Sequence, residues 1–315
     1  MTSARIVDQL RVDQEAELTR LIDGLMQSPA HIEPKYFYDE LGCALYAAIC
    51  QLDEYYPTRT ERAIFQSHRD AIAEAVGPID TFVDLGAGDC RKAESWLPVL
   101  APSRYLAVDI AASALDSALT RLAGEFPDIE MTGLATDFSH ALSVPRELLK
   151  GRSLFFYPGS SIGNFAPDDA VEFLAQVRNY AGDGGLLIGV DAKKDANRLD
   201  AAYADALGVT AAFNRNALRH INRILAANFD EGRWKHVGRY NNALGRVEMH
   251  LESLDRQQVR LGGRVREFAA GERIHSENSY KYSRSEFEAL LNRAGFVAQQ
   301  VWTNEREEFW VFLAR

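Results

Sequence analysis

Apolar and polar positions alternate along this chain with two different periods. Short, continuous apolar runs fall at Thr81–Leu85, Arg104–Asp109, 130–136, 153–158 and 186–191. Between them, apolar residues recur every third and fourth position over 92–100, Ala112–Glu125 and 167–180. Continuous runs of that length predict strands buried on both faces, and the three-and-four spacing predicts helices. Strand and helix in strict alternation predict a parallel, doubly wound α/β sheet. After 191 the rhythm breaks. Segments 198–207 and 212–226 read as helices, and 233–240 with 245–253 and Gln257–Leu261 with 265–269 read as hairpins. A helix at 285–294 and strands at 296–303 and 308–314 then supply what the sheet lacks. The stretch from about 195 to 281 is therefore read as an α+β insertion in the sheet domain.

Ahead of the sheet, 5–28 has helical spacing and 44–51 predicts a short helix. Pro57 predicts extended geometry at Tyr56, and Thr58 or Thr60 can cap a helix running to about Val76. The loops between hold Tyr36, Tyr38, Tyr55 and Tyr56. Tyrosines at that density serve a core or the lid of a pocket, since each offers bulk and a hydroxyl. The expected division is 59–194 plus 282–315 as one domain and 1–58 plus 195–281 as a second, with a ligand cleft between them.

The first strand runs straight into Asp84-Leu-Gly-Ala-Gly-Asp89 and a helix. A glycine turn between strand and helix holds a nucleotide-like ligand over the strand ends. Asp109 ends the next strand, where an acid can accept from both ribose hydroxyls. A dinucleotide fingerprint needs a third glycine, and Arg91 stands there. With Asp84 just before the turn, the pattern suits S-adenosylmethionine, whose amino and sulfonium groups are cationic. Asp137 and Phe138 follow the third strand, as an adenine contact or as a helix cap with a core ring. Gly159 to Asn164 follow the fourth, where Asn164 offers donor and acceptor to a substrate or simply makes a turn. Glu277 and Ser279 are two apart, so on a strand they share one face. They suit a small polar group with N–H donors, or a solvated strand face.

Composition narrows the classes. The chain has 315 residues, 47% of them hydrophobic, enough for a real core. A net charge of −10 without a basic cluster argues against nucleic acid. No apolar stretch reaches membrane-spanning length, and no charged-then-apolar leader is seen. Three scattered cysteines in no metal-ligand spacing suggest reduced thiols, a cytoplasmic setting and no metal. The expected partner is a small molecule, and the expected state a monomer.

Tyr36-Phe-Tyr-Asp39, Glu54-Tyr-Tyr-Pro-Thr-Arg-Thr-Glu61, Gly159-Ser-Ser-Ile-Gly-Asn164, Gly208-Val-Thr-Ala-Ala-Phe-Asn214 and Ser276-Glu-Asn-Ser279 together resemble the L-histidine Nα-methyltransferase family, in order and over nearly the whole chain. The resemblance implies a class I methyltransferase-like sheet with an inserted substrate-binding domain. It implies three transfers from S-adenosylmethionine to the α-nitrogen of histidine, giving hercynine for ergothioneine biosynthesis. It implies that Tyr55, Asn164 and Tyr203 hold the amino-acid carboxylate and amine, that Tyr38 lies near the amine and the cofactor, and that Met249 lines the side-chain pocket. Glu277 and Ser279 would hydrogen-bond the imidazole, and Gly86, Lys92, Asp109, Asp137 and Phe138 would bind the cofactor. Tyr38 and Asn164 would carry the catalytic positioning. The sequence departs from the family at Ala87, where a serine is usual, at Asp89, and at Tyr46, where phenylalanine is frequent. The competing readings are an Nα-methyltransferase of another amino acid, a dinucleotide oxidoreductase and a non-catalytic S-adenosylmethionine-binding protein.

Overall fold

Every continuous apolar run becomes a strand with both faces covered in the computed structural model, which describes residues 4–9, 14–139 and 141–315. In chain order the strands are β1 Arg5–Asp8, β2 Ala30–His31, β3 Thr81–Leu85, β4 Arg104–Asp109, β5 Glu130–Ala135, β6 Ser153–Tyr157, β7 Gly185–Asp191, β8 Trp234–Asn241, β9 Arg246–Ser253, β10 Gln257–Leu261, β11 Arg264–Phe268, β12 Arg273–Tyr280, β13 Ala298–Thr303 and β14 Phe309–Ala314. The chain folds as two units. One holds Met1–Arg11, Thr60–Ala192 and Tyr282–Arg315, and the other Val12–Arg59 and Lys193–Lys281.

The first unit is built on one sheet in the order β1-β5-β4-β3-β6-β7-β14-β13. The pairs from β1 to β7 are parallel, and β14 runs antiparallel to both β7 and β13. Strand order reverses at β3, the first sheet strand after the long N-terminal segment. In such sheets the carboxyl ends of the strands beside the reversal are the natural ligand position. Phe82, Tyr105, Phe156, Leu187 and Phe309 fill its core. This is the mixed α/β, doubly wound architecture expected from the alternation.

Three local expectations are corrected here. The N-terminal segment is not one helix over 5–28: Arg5–Asp8 pairs with β5 as an edge strand, and a helix runs over Gln14–Met26, with 10–13 outside the described residues. Those first residues therefore belong to the sheet unit, not with 12–58. Pro57 does not hold Tyr56 extended; it sits in the first turn of the helix Tyr56–Ser67, where its missing N–H costs nothing. The helix over 92–100 is broken into Arg91–Glu94 and Leu97–Leu100, with Pro98 in the opening turn of the second piece.

The second unit has a four-stranded sheet ordered β2-β12-β9-β8 and the hairpin β10-β11. Along β9 every second residue is buried, which leaves one face of the ladder for packing. The helices Ala196–Tyr203 and Val209–Leu225 supply Leu199, Phe213, Leu218 and Ile221 to the same core as Leu25, Phe37, Trp234 and Leu251. Asp39 caps the helix Glu40–Ile49 by accepting from the Gly42 N–H at 2.7 Å. No helix among the described residues is long and apolar enough to cross a membrane.

Candidate active site

In the sheet unit, the turn after β3 is closed by backbone. Gly86 and Gly88 take φ of +69° and +53°, a region that strains any side chain. The N–H groups of Gly86 and Ala87 both donate to the Val108 carbonyl, at 2.9 and 3.1 Å. That closure places the Gly88 N–H on Asp109 Oδ2 at 2.8 Å, and Ala111 N–H donates to Oδ1 at 2.9 Å. Each oxygen keeps a second lone pair, so Asp109 is fixed as a two-oxygen acceptor at the end of β4. The ring of Phe138 lies beside Gly86, with Cζ 3.9 Å from where a Cβ would stand. It stacks on Phe173 at 5.8 Å and meets Tyr157 edge-on at 6.3 Å. Asp137 Oδ1 accepts from the Ser139 N–H and hydroxyl, at 2.9 and 2.6 Å, which pins the turn after β5.

Asp84 is the acid this turn hides. It is 2% exposed, and Oδ2 accepts from the Tyr105 hydroxyl at 2.8 Å. Oδ1 is buried with no hydrogen-bond partner among the described residues. Burial pushes its carboxyl up to about 7, against the pull of the Tyr105 bond and the Lys92 charge. A buried acceptor without a donor calls for a reason, and a ligand amino group is one. The orphaned oxygen, the two-oxygen acceptor at Asp109 and the open space beside Gly88, where a Cβ would meet nothing within 4 Å, fit a cationic nucleoside.

Lys92 is not free to serve that ligand alone. Its Nζ lies 2.7 Å from Glu61 Oε2, which commits one of its three donors. Glu61 is 1% exposed, and its other oxygen accepts from the Gly159 N–H at 2.6 Å. One carboxylate thus ties the helix that starts at Tyr56, the lysine after the glycine turn and the loop after β6. Gly189 on β7 makes the room: a Cβ there would sit 2.2 Å from Glu61 Oε1. The loop ends in the turn Ser161–Asn164, and the half-buried amide of Asn164 makes no hydrogen bond among the described residues.

In the inserted unit, rings and hydroxyls do the positioning. Tyr38 meets Tyr46 at 5.9 Å and Phe213 at 5.7 Å, edge-on in both cases, and Tyr55 meets Tyr203 at 6.1 Å. Tyr46 meets Tyr55 edge-on at 6.5 Å, and burial holds both phenols well above the ordinary range. Tyr38 is likewise raised by burial, with Tyr46 and Glu277 adding to it. Glu277 and Met249 stand directly opposite across the β9–β12 ladder, so their side chains share a face. The Glu277 carboxyl, pushed up to about 7 by burial against the pull of Lys281, makes no hydrogen bond among the described residues. Ser279, on the same face, lies 2.8 Å from the Tyr203 hydroxyl.

Tyr203 ends its helix, and its carbonyl accepts from His236 Nε2 at 2.7 Å. Asn214 Nδ2 donates to His236 Nδ1 at 2.8 Å, and Ser276 Oγ donates to Asn214 Oδ1 at 2.8 Å. Ser276 therefore holds Tyr203 through two intermediaries.

The fold brings Gly86, Lys92, Asp109, Asp137, Phe138 and Asn164 to strand ends of the sheet unit. Tyr38, Tyr55, Tyr203, Met249, Glu277 and Ser279 belong to the inserted unit. Sequence reasoning missed Glu61, His236 and Lys281. Only Lys281 had a local signal, since it extends the two-residue alternation of Glu277 and Ser279.

The family described as histidine-specific methyltransferase, SAM-dependent, matches residues 17–315. A histidine N-alpha-methyltransferase of Mycobacterium tuberculosis is 39% identical over 299 residues, covering 92% of each chain. One of Mycolicibacterium smegmatis is 38% identical over 319 residues, covering 98% of each. A 4-dimethylallyltryptophan N-methyltransferase of Claviceps purpurea is 27% identical over 91% of each chain.

Proposed function

The chain belongs to the histidine-specific, S-adenosylmethionine-dependent methyltransferase family, and from that premise we propose which of its residues do the work. The enzyme methylates the α-amino nitrogen of L-histidine to hercynine, with S-adenosylmethionine as donor. The bound cofactor supplies an electrophilic methyl group on a sulfonium. In the proposed assignment Asp109 accepts from the ribose hydroxyls, Phe138 and Asp137 meet the adenine, and Asp84 Oδ1 accepts from the amino group. Lys92, aimed by Glu61, faces the carboxylate with its remaining donors.

On the substrate side, Tyr55, Tyr203 and Asn164 hold the amino-acid carboxylate and amine. Glu277 and Ser279 hydrogen-bond the imidazole, and Met249 packs against the ring. Tyr38 and the Asn164 amide orient the nitrogen at each methylation state. The amine attacks only when neutral, and its proton leaves to water. Each transfer forms one N–C bond and breaks one S–C bond. No side chain is required as a strong base, because holding the reactants in line supplies most of the rate.

The single observation behind histidine as substrate is the pairing of a half-buried carboxyl and a buried hydroxyl, Glu277 and Ser279, on one strand face beside Tyr203 and Met249. Mass spectrometry after incubation with S-adenosylmethionine and each standard amino acid separately tests it. A mass gain of three methylene units on histidine alone is expected. Trimethylation of a different amino acid would overturn the assignment of Glu277 and Ser279. Unchanged turnover in Asn164→Ala would remove Asn164 from the amine. The reading also takes the protein as a cytoplasmic monomer; three cysteines outside any disulfide suit a reducing compartment, and a dimer mass in light scattering would end the monomer part.

A further inference from the structure

Lys281 has only 2% of its surface exposed, and lysines are almost never buried without partners. It directly follows β12 and continues the alternation of Glu277 and Ser279, so all three share one face. Its Nζ lies 2.8 Å from Ser279 Oγ and 2.9 Å from Tyr203 Oη, and those oxygens are 2.8 Å apart. The three atoms form a closed triangle.

Two edges of the triangle have a set direction, and the third can run either way. An ammonium is a donor only, so both hydroxyl oxygens accept from Lys281 and neither can aim its proton at it. The third edge takes one hydroxyl proton. Either hydroxyl can supply it; the phenol is the more acidic and so the better donor, and in the arrangement this favours Tyr203 donates and Ser279 accepts. Both lone pairs of Ser279 Oγ are then filled, and its own proton leaves the triangle. Glu277, two residues back on the same face, is an acceptor. The strand face therefore presents one acceptor and one donor side by side.

We propose that Lys281 is a specificity-determining positioning residue, which fixes Ser279 as a donor beside the Glu277 acceptor and so matches the site to a neutral five-membered ring carrying one N–H and one bare nitrogen. This rests on the reading that Glu277 and Ser279 face the substrate ring. An indole or pyrrole offers the N–H and no bare nitrogen, so the outward proton of Ser279 would be buried without an acceptor. Leaving such a group unpaired is what lets a polar site reject an otherwise similar ligand strongly.

The test uses the full chain as wild type, Lys281→Met, Ser279→Ala and the double variant. Substrates are L-histidine and the two pyrrolylalanines, whose rings keep an N–H and lack an acceptor nitrogen. Measured are kcat and KM for each, KM for S-adenosylmethionine, and the thermal midpoint. Wild type should prefer histidine by roughly 100-fold or more in kcat/KM. Each single variant should bring that preference to within about tenfold, mostly through KM for histidine, with KM for S-adenosylmethionine changed by no more than about twofold. The double variant should be no worse than Ser279→Ala, because Lys281 acts through Ser279.

A preference that survives Lys281→Met but not Ser279→Ala overturns the proposal and leaves the ring contacts standing. A preference that survives Ser279→Ala overturns those contacts, and the proposal with them. If Lys281→Met yields no folded protein, Lys281→Gln keeps N–H donors for the two hydroxyls and should retain most of the preference. Its loss in folded Lys281→Gln is the overturning result.

Discussion

Asp109 and Glu277 are both acids proposed to face a ligand, and the two units hold them in opposite ways. Asp109 is gripped by the backbone N–H groups of Gly88 and Ala111, and its direction is set before any ligand arrives. Glu277 has no such grip; it is placed by its strand register opposite Met249 and by the charge of Lys281. Around it the contacts run between side chains far apart in sequence, such as Tyr203 with Ser279 and Ser276 with Asn214. A site built from backbone tolerates many side chains and binds a ligand common to many enzymes. A site built from side chains can be retuned one residue at a time. The Claviceps purpurea relative, named for a tryptophan derivative, shows that a similar chain length can go with a different substrate name.

The contrast can be broken most sharply at Glu277. Replacing Glu277 with Leu should lower kcat/KM for histidine by roughly 1,000-fold, since a buried ring N–H loses its acceptor. Calorimetric binding of S-adenosylmethionine should stay within about twofold, because the substitution lies outside the sheet unit. Equal losses on both ligands would show that the two sites are not separable.

Glu61 is where the sheet unit should prove fragile in spite of its backbone construction. Glu61→Ala strips the partner from Lys92 and the acceptor from the Gly159 N–H, and should cost about 3 kcal/mol in denaturant unfolding. Glu61→Gln keeps an acceptor for Gly159 and should cost clearly less, while still raising KM for S-adenosylmethionine through Lys92. Equal stability in the two variants would mean that the Gly159 bond contributes nothing.

Asp109→Ala should weaken S-adenosylmethionine binding by roughly 10- to 100-fold, the worth of one or two charged hydrogen bonds. KM for histidine measured at saturating cofactor should hardly move. A larger effect on histidine than on cofactor would refute the assignment of Asp109.

The smallest effect is one on which the two units agree. Asp84 and Glu277 are each raised to about 7 by burial, from ordinary values of 3.8 and 4.5. The fold therefore binds their protons more tightly than the unfolded chain does. Their stabilising contribution is complete below about pH 4, and is lost as pH rises through 7. Asp84→Asn and Glu277→Gln should thus raise the melting temperature of the ligand-free protein by a few degrees at pH 8, and change it little at pH 4 to 5. A gain that is the same at both pH values would rule out protonation as its cause.

The sheet was legible because its strands are continuous apolar runs: Thr81–Leu85 and Arg104–Asp109 were placed to the residue. The edge strand Arg5–Asp8 was not, since four residues with charged ends carry no periodicity and depend on pairing with β5. The helix start at Tyr56 was missed because Pro57 marks both breaks and first turns, and only tertiary context separates the two. At the site, spacing alone pointed to Asp109, to the glycine turn and weakly to Glu277 with Ser279. The roles proposed for Tyr55, Tyr203 and Met249 rest on resemblance, because hydroxyl and ring contacts across the inserted unit leave no local pattern. Glu61 looked like any other acid in a helix; its burial depends on a glycine at 189.

The position of β14 has a consequence for how the protein is made. It lies between β7 and β13 and pairs with Leu186–Asp191 through residues 309 to 314. During synthesis, β7 must wait for more than the whole inserted unit to leave the ribosome before its outer edge is covered. Until then it offers an apolar row of unmet backbone groups, a template for wrong partners. Chains stopped short of Phe309 should therefore accumulate as aggregates, even though every residue proposed to touch a ligand is already present in them.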